Sequence, residues 1–451
     1  MKEKIFAFSE TAQGYNHIKV NKVCEDASDF YSDERMHICV VADGHGSDNY
    51  PRTDRGSKFA VDSAISCLVE FVNSADVNDV LNDRKNNYGL MLQLATSILN
   101  KWYQAVDDDY SKHPFVETEM VKVSDKYKKR YFAQNPIERR VEKAYGCTLI
   151  LFVVTNDYSF GMQIGDGKCV VVDKNGNFTE PIPWDEDCQM NVTTSICDDE
   201  AIEEFRFFIT DKKPTAVFCG TDGIDDSYAS SEELYALYRS IIKIFIEHGI
   251  EVGKSEIAEY LPILTKRGSG DDVSIGLILD LERAEIIEPI LEVKSEMYKL
   301  SEELKDKQHQ LMIVNEKELV LNKKIKKCLE AKRNPKIEMQ DDVTKINEFW
   351  NSQKTLYSEI EKIEKRLHNL EESLESTIFD QEVASFDIED VEDMEIKKQL
   401  TVQTDGEELE KTVIKFNSYN DDVTKNGERE NVMTELFGNS EVEIKDNKTN
   451  S

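Results

Sequence analysis

The chain has 451 residues, 32% of them charged, with 89 Asp and Glu against 56 Lys and Arg and a net charge of −33. At about 150 residues per unit that length suggests two or three folding units, and the charge fraction exceeds the ~25% of an average globular chain. A surface this acidic repels nucleic-acid phosphate and anionic lipid, which argues against both as general partners.

No stretch approaches ~18 consecutive apolar residues, so no membrane span is expected. The start, MKEKIFAFSE, has too short an apolar run for a signal peptide. The nine cysteines are scattered, odd in number and without a C-x-x-C pair, which points to a reducing compartment rather than a disulfide framework. These features predict a cytoplasmic protein.

Along the chain three regimes follow one another. Residues 1–282 contain short apolar runs rich in Val, Ile, Phe and Cys: MHICVVAD, CTLILFVVT, CVVVD, TAVFCGTD and VSIGLILD. Each is bounded by Gly, Asp or Asn and reads as a buried strand. Helical periodicity lies between them over 54–72, 86–107, 232–248 and 255–265, while 108–140 is polar and reads as a surface insertion. The mixture predicts an α+β or layered α/β fold around one large core. Residues 284–378 carry heptads at Ile290, Met297, Leu304 and Leu311, with Val293, Leu300, Val314 and Leu321 beside or beyond them. Pro335 interrupts the pattern, and a second seam follows at Ile346, Phe349, Leu356, Ile360, Ile363, Leu367, Leu370 and Leu374. Two seams around a proline predict an antiparallel helical hairpin, the alternative being a coiled coil that self-associates or takes a partner. Residues 379–451 are acidic and without sustained period, the composition of a disordered tail.

In the first regime acids recur where apolar runs end. Asp43 opens the turn Asp43-Gly44-His45-Gly46, Asp222 precedes Gly223, and Asp271-Asp272 precede VSIGLILD. Glu25-Asp26 and Asp166 stand in VCEDAS and IGDGK. Taken singly, an Asp-Gly after a strand is an ordinary turn. Several strand-end carboxylates converging without His or Cys ligands suit hard cations such as Mg²⁺ or Mn²⁺.

The ordered set Glu25-Asp26, Asp43-Gly44-His45-Gly46, Gly146-Cys147-Thr148, Gly165-Asp166, Asp222-Gly223 and Asp271-Asp272 resembles the metal-dependent protein phosphatase family (PPM, protein phosphatase 2C-like), in a bacterial branch. The resemblance covers the first 280 or so residues. It implies a four-layer αββα sandwich of two antiparallel sheets flanked by helices, with two Mg²⁺ or Mn²⁺ ions in a cleft at one end. It implies that Asp43 bridges both ions, that Asp222 and Asp271 complete one site, and that the Gly44 carbonyl serves the other. Glu25 and Asp26 would act directly or through water, and Asp166 with Asp222 would hold a weaker third ion. The implied activity is hydrolysis of phosphoserine and phosphothreonine in targets of a Ser/Thr protein kinase. A hydroxide shared by the two ions would attack phosphorus, and His45 would be the general acid. Where many members carry an Arg that grips phosphate, this chain has Asn21, so His17, Lys22 and Arg52 become the phosphate-binding candidates. Gly167-Lys168 replace the usual Ser-Arg after the Gly-Asp pair. The rival reading is a catalytically weak phosphatase fold serving as a binding or scaffold module through its helical segment.

Overall fold

The computed structural model describes residues 5–81, 84–135, 138–185, 188 and 193–384. Its strands are β1 (Ile5–Ala12), β2 (Ala27–Ser32), β3 (Met36–Ala42), β4 (Leu149–Thr155), β5 (Ser159–Ile164), β6 (Lys168–Val172), β7 (Phe178–Thr179), β8 (Arg206–Thr210), β9 (Ala216–Gly220) and β10 (Val273–Asp280). One antiparallel sheet has the order β1-β10-β9-β6-β7 and the other β2-β3-β4-β5-β8. The helices are α1 (Tyr15–Val20), α2 (Thr53–Ser74), α3 (Val77–Leu81), α4 (Arg84–Lys112), α5 (Glu117–Met120), α6 (Asp125–Tyr131), α7 (Ala201–Glu204), α8 (Asp222–Asp225), α9 (Ser231–His248), α10 (Ile250–Arg267), α11 (Leu281–Glu330), α12 (Pro335–Glu338) and α13 (Gln340–Ala384).

Strand β3 shows why the apolar runs are continuous rather than alternating. Successive side chains point to opposite faces, and both faces of β3 are covered. Met36, Ile38 and Val40 pack with Ala60, Ala64 and Leu68 of α2 and Leu94, Ile98 and Trp102 of α4. Cys39 and Val41 point the other way, into a layer shared with Phe152, Val217 and Ile278, where the two sheets meet. On the far side Phe218 and Leu277 pack against Tyr238, Ile242 and Phe245 of α9 and Ile257 and Leu261 of α10. The result is a sandwich of helices, sheet, sheet and helices, the four layers that the resemblance implied.

The chain divides into two compact units, residues 1–292 and 293–451. The division falls inside α11, past the boundary expected at residue 282, because Leu281, Ala284, Ile287 and Leu291 belong to the core of the first unit. In the second unit α11 and α13 run antiparallel. Trp350 Nε1 donates to Glu318 Oε1 at 3.0 Å, Gln353 Nε2 donates to Asn315 Oδ1 at 2.8 Å, and Lys307 pairs with Glu359 at 2.9 Å. Leu321, Ile325 and Ile346 close the turn end of the pair. Asn334 caps α12, its Oδ1 accepting from the Lys336 N–H at 3.1 Å. Residues 379–384, expected to begin the tail, continue α13. The rest of the expected acidic tail, 385–451, lies outside the described residues. No helix among the described residues is long and apolar enough to cross a membrane.

Helix α2 approaches the chain before β4 unusually closely. A Cβ at Gly56 would lie 1.8 Å from the Tyr145 carbonyl oxygen, and the Gly56 carbonyl accepts the buried Trp102 Nε1 at 3.0 Å. Gly56→Ala therefore forces backbone apart in a fully packed region. Its expected cost is about 1–3 kcal/mol, read as a lowered urea midpoint with an unchanged slope. A midpoint equal to the wild type's would show that the contact yields freely.

Candidate active site

Antiparallel pairing brings the acids to one edge. Ala27 pairs with Ala42, so Glu25 and Asp26 before β2 meet Asp43 after β3. Lys168 pairs with Gly220 and Ile275 with Gly220, which places the β5–β6 turn, the end of β9 and the start of β10 together. Asp166, Asp222 and Asp271-Asp272 occupy those three positions. Hydroxyls tie the two sheets here. Thr11 Oγ1 lies 2.8 Å from Ser28 Oγ and 2.7 Å from Ser274 Oγ, and Thr221 Oγ1 donates to Asp26 Oδ2 at 2.7 Å.

Asp43, Asp166 and Asp222 each present a carboxylate oxygen, all within 4.8 Å of one another. Asp26 stands beside Asp43, whose carboxyl is pushed well above its ordinary range, first by burial and then by the charges of Asp26 and Asp222. Asp26 is raised likewise, first by burial. Burial, then Asp166, Asp271 and Asp226, raise Asp222 to about 7. One oxygen each of Asp26 and Asp166 is buried with no hydrogen-bond donor among the described residues. Crowded carboxylates with orphaned oxygens are short of positive charge, and an all-oxygen set of this kind fits a hard divalent cation. Gly44 makes the turn possible: a Cβ there would lie 2.5 Å from both the Glu25 carbonyl oxygen and Thr53 Oγ1.

Asp271 and Asp272 play different parts. Asp271 is exposed and groups with His17 and Asp272 within 4.8 Å. Asp272 is buried, its Oδ1 accepting from the Gly14 N–H at 2.5 Å and its Oδ2 from the Glu25 N–H at 2.6 Å. His17 Nδ1 lies 2.9 Å from the same Oδ2, and its Nε2 lies 3.8 Å from Asp271 and 3.9 Å from Glu25. Asp272 thus latches the segment carrying Glu25 and Asp26 onto the start of β10. Lys22 reaches the rim, its Nζ 2.6 Å from Glu25 Oε2 and donating to the Gly46 carbonyl at 2.8 Å. Glu25 is raised to about 7 by burial, against the pull of Lys22.

Two of the expected residues stand apart from the cluster. Arg52 is buried: its Nε and Nη2 grip Glu119 at 3.0 and 2.9 Å, and its Nη1 donates to the His113 carbonyl and the Tyr145 hydroxyl, both at 2.7 Å. With its donors engaged behind the turn, it is not placed to meet a phosphate. The His45 ring packs on Tyr50, centroids 4.6 Å apart, and its Cδ2 would sit 2.7 Å from a Cβ at Gly146. Burial lowers it to about 4, and the charges acting on it are Asp198 and Lys143 rather than the clustered acids. Sequence reasoning did not single out Thr221, whose only trace is a hydroxyl directly before Asp222. Nor did it single out Asp225, which has a buried oxygen without a donor and is raised to about 7 by burial.

The two kinds of acid separate in a stability measurement without metal. Asp272→Ala leaves two buried backbone N–H groups unpaired, at roughly 1–3 kcal/mol each, and is expected to lower the urea midpoint markedly. Asp222→Ala removes a mutually repelling charge and is expected to leave the midpoint in EDTA unchanged or raised. The reverse order would show that Asp222, not Asp272, is the structural acid.

The family model for protein phosphatase 2C matches residues 13–261. No curated protein matches the chain. Among solved structures it is similar to the serine/threonine phosphatase Stp1 from Staphylococcus aureus at 15% identity and a TM-score of 0.37, covering 62% of this chain and 95% of that one. It is also similar to PppA, described as a regulatory component of T6SS in Pseudomonas aeruginosa, at 15% identity and a TM-score of 0.38, covering 62% and 98%. A third is the catalytic domain of the serine threonine protein phosphatase PstP in complex with 2 manganese ions, at 15% identity and a TM-score of 0.36, covering 61% and 97%. With the family model spanning more than half of its length, the chain belongs to the protein phosphatase 2C family of phosphatases.

Proposed function

We propose that the chain is a metal-dependent protein phosphatase that hydrolyses phosphoserine and phosphothreonine in the targets of a Ser/Thr protein kinase. The observation that carries this reading is the Asp43–Asp166–Asp222 convergence, with orphaned carboxylate oxygens beside it. Asp43, the Gly44 carbonyl, Asp26 and Glu25 would hold one Mg²⁺ or Mn²⁺, Asp43, Asp222 and Asp271 a second, and Asp166 with Asp222 a weaker third. Such ions would neutralise phosphoryl oxygens and acidify a bound water, the two needs of a reaction whose uncatalysed rate is among the slowest known.

The chain's own groups set the rest. Thr221 fixes one oxygen of Asp26, leaving the other for a cation. Asp43 is held through its backbone, its N–H donating to Thr148 Oγ1 at 3.0 Å and its carbonyl accepting from the Thr148 N–H at 2.8 Å. Lys22 stands at the rim, where its ammonium can orient an incoming phosphate while remaining tethered to Glu25. Lys22 takes the role for which Arg52 was a candidate. His17, between three carboxylates, orients those acids.

Hydrolysis of a phosphothreonine peptide by the full chain is expected with Mn²⁺ and not with excess EDTA. Asp43→Ala and Asp222→Ala are expected to lower turnover by ~100-fold or more, at or above the range for weakening a metal site. Full turnover in both variants, or in EDTA, would overturn the reading.

His45 has its own test. A general acid speeds loss of a poor leaving group by about 10²–10⁴ and matters little for an aryl phosphate, whose leaving group needs no proton. The packing of His45 on Tyr50 and Gly146 predicts that His45→Gln changes both substrates by similar factors. A selective loss on the phosphothreonine peptide would make His45 the proton donor.

A further inference from the structure

The segment between α4 and β4 inverts the charge of the chain. Residues 121–140 carry seven Lys and Arg against two Asp and Glu, within a chain of net charge −33. Basic residues around it are neutralised: Arg52 by Glu119, Arg55 by Asp109, Arg140 by Glu142 and Asp199, and Lys143 by Asp198. Lys126, Lys129 and Arg130 of α6 are exposed, and no carboxylate pairs with them among the described residues. Lys122 makes a single exposed pair, with Asp48 at 3.6 Å.

This basic face is fastened to the loop that leads away from Asp43 and Gly44. The Tyr131 hydroxyl donates to the Asn49 carbonyl at 2.5 Å, and the Ser124 N–H donates to Asn49 Oδ1 at 3.0 Å. Three aromatic steps mark its nearness to the site. The His45 ring lies 4.6 Å from Tyr50, Tyr50 lies 5.7 Å from Tyr127, and the Arg130 guanidinium lies 5.7 Å from the Tyr127 centroid. Behind the loop, Glu119 of α5 holds Arg52. The insertion is therefore a fixed wall beside the turn.

We propose that this face binds acidic side chains flanking the phosphorylated residue of a protein substrate, a specificity that rests on the phosphatase reading above. Charge complementarity selects the occupant. The chain's overall acidity repels such a segment, and the cluster of unpaired cations on α6 supplies a local attraction beside the turn. Each exposed ion pair contributes a few-fold at most, and three together about tenfold.

The test uses the full chain with Mn²⁺, two phosphothreonine peptides that differ only in carrying Glu or Gln at the flanking positions, and an aryl phosphate. The expected result is a kcat/KM about tenfold higher for the Glu peptide, a preference that shrinks as salt is raised. The combined variant Lys126→Glu, Lys129→Glu, Arg130→Glu is expected to lose or reverse the preference while turning over the aryl phosphate as the wild type does. Equal kcat/KM for the two wild-type reactions, or a preference that survives charge reversal, would overturn the proposal. Should charge reversal impair the aryl phosphate reaction, the triple Gln variant decides by the same comparison, with parity between peptides expected. Wild-type protein inert toward the aryl phosphate and both peptides would overturn the phosphatase reading and this proposal together. An active enzyme blind to flanking charge overturns this proposal alone.

Discussion

Mutual repulsion among carboxylates is the constraint on which the rest of the site depends. Asp26, Asp43 and Asp222 are all raised first by burial and then by neighbouring acids, Asp272 and Asp222 acting on Asp26, Asp26 and Asp222 on Asp43, and Asp166, Asp271 and Asp226 on Asp222, so folding without cations brings together groups that resist it. The fold meets this resistance with rigidity. Asp43, Asp166, Asp222 and Asp271 flank the ends of the buried strands β3, β5, β9 and β10, and an interior at crystal-like density does not yield to a local strain. Backbone hydrogen bonds to Thr148 and hydroxyl ties between Thr11, Ser28 and Ser274 hold the converging edges.

Asp272 shows how the same chemistry serves two purposes in adjacent residues. Both of its oxygens are engaged, Oδ1 by the Gly14 N–H and Oδ2 by the Glu25 N–H and His17, which leaves neither free to turn elsewhere. Asp271, one residue earlier and exposed, has that freedom. Asp272 bonds the Gly14 and Glu25 N–H groups and so fixes the chain that delivers Glu25 and Asp26. The latch and the cluster are separable in kind, although both are acids at the start of β10.

Much of this was legible in sequence because burial on both faces leaves a continuous apolar signature, and β3, β4, β6, β9 and β10 each carry it. Strands β2 and β8 did not announce themselves, since they are edge strands with half-exposed patterns. Strand β5, fully buried, hides behind Gly161 and Gln163. Asp43, Asp222 and Asp166 were legible as acids at strand ends. The division of labour between Asp271 and Asp272 was not, because a pair of like residues carries no mark of which one faces inward. Arg52 misled for a similar reason: its place near the turn suggested phosphate, while the Glu119 that occupies it lies 67 residues away in sequence. In the helix pair, Glu318 and Gln353 lie on the buried seam. Their polarity concealed them from a heptad reading, and their bonds to each other and to Trp350 make burial tolerable.

The stretch 108–140, read from sequence as a surface insertion, changes what a polar, charge-rich stretch means. Composition alone gives it a solvated surface, and Lys122, Lys126, Lys129 and Arg130 are indeed exposed. Yet Tyr127 and Tyr131 anchor it to Tyr50 and Asn49, and Glu119 neutralises a buried guanidinium that would otherwise be costly to leave unpaired. The loop after Asp43 is consequently held from two sides, by the strand ends on one, where the Thr148 N–H and the His45 N–H bond the Asp43 and Gly146 carbonyls, and by the insertion on the other. The first set of contacts fixes where the carboxylates stand, and the second fixes what stands beside them. Because few side chains belong to both sets, the charge of the rim can vary without moving the acids, which is the physical condition for tuning partner choice independently of chemistry.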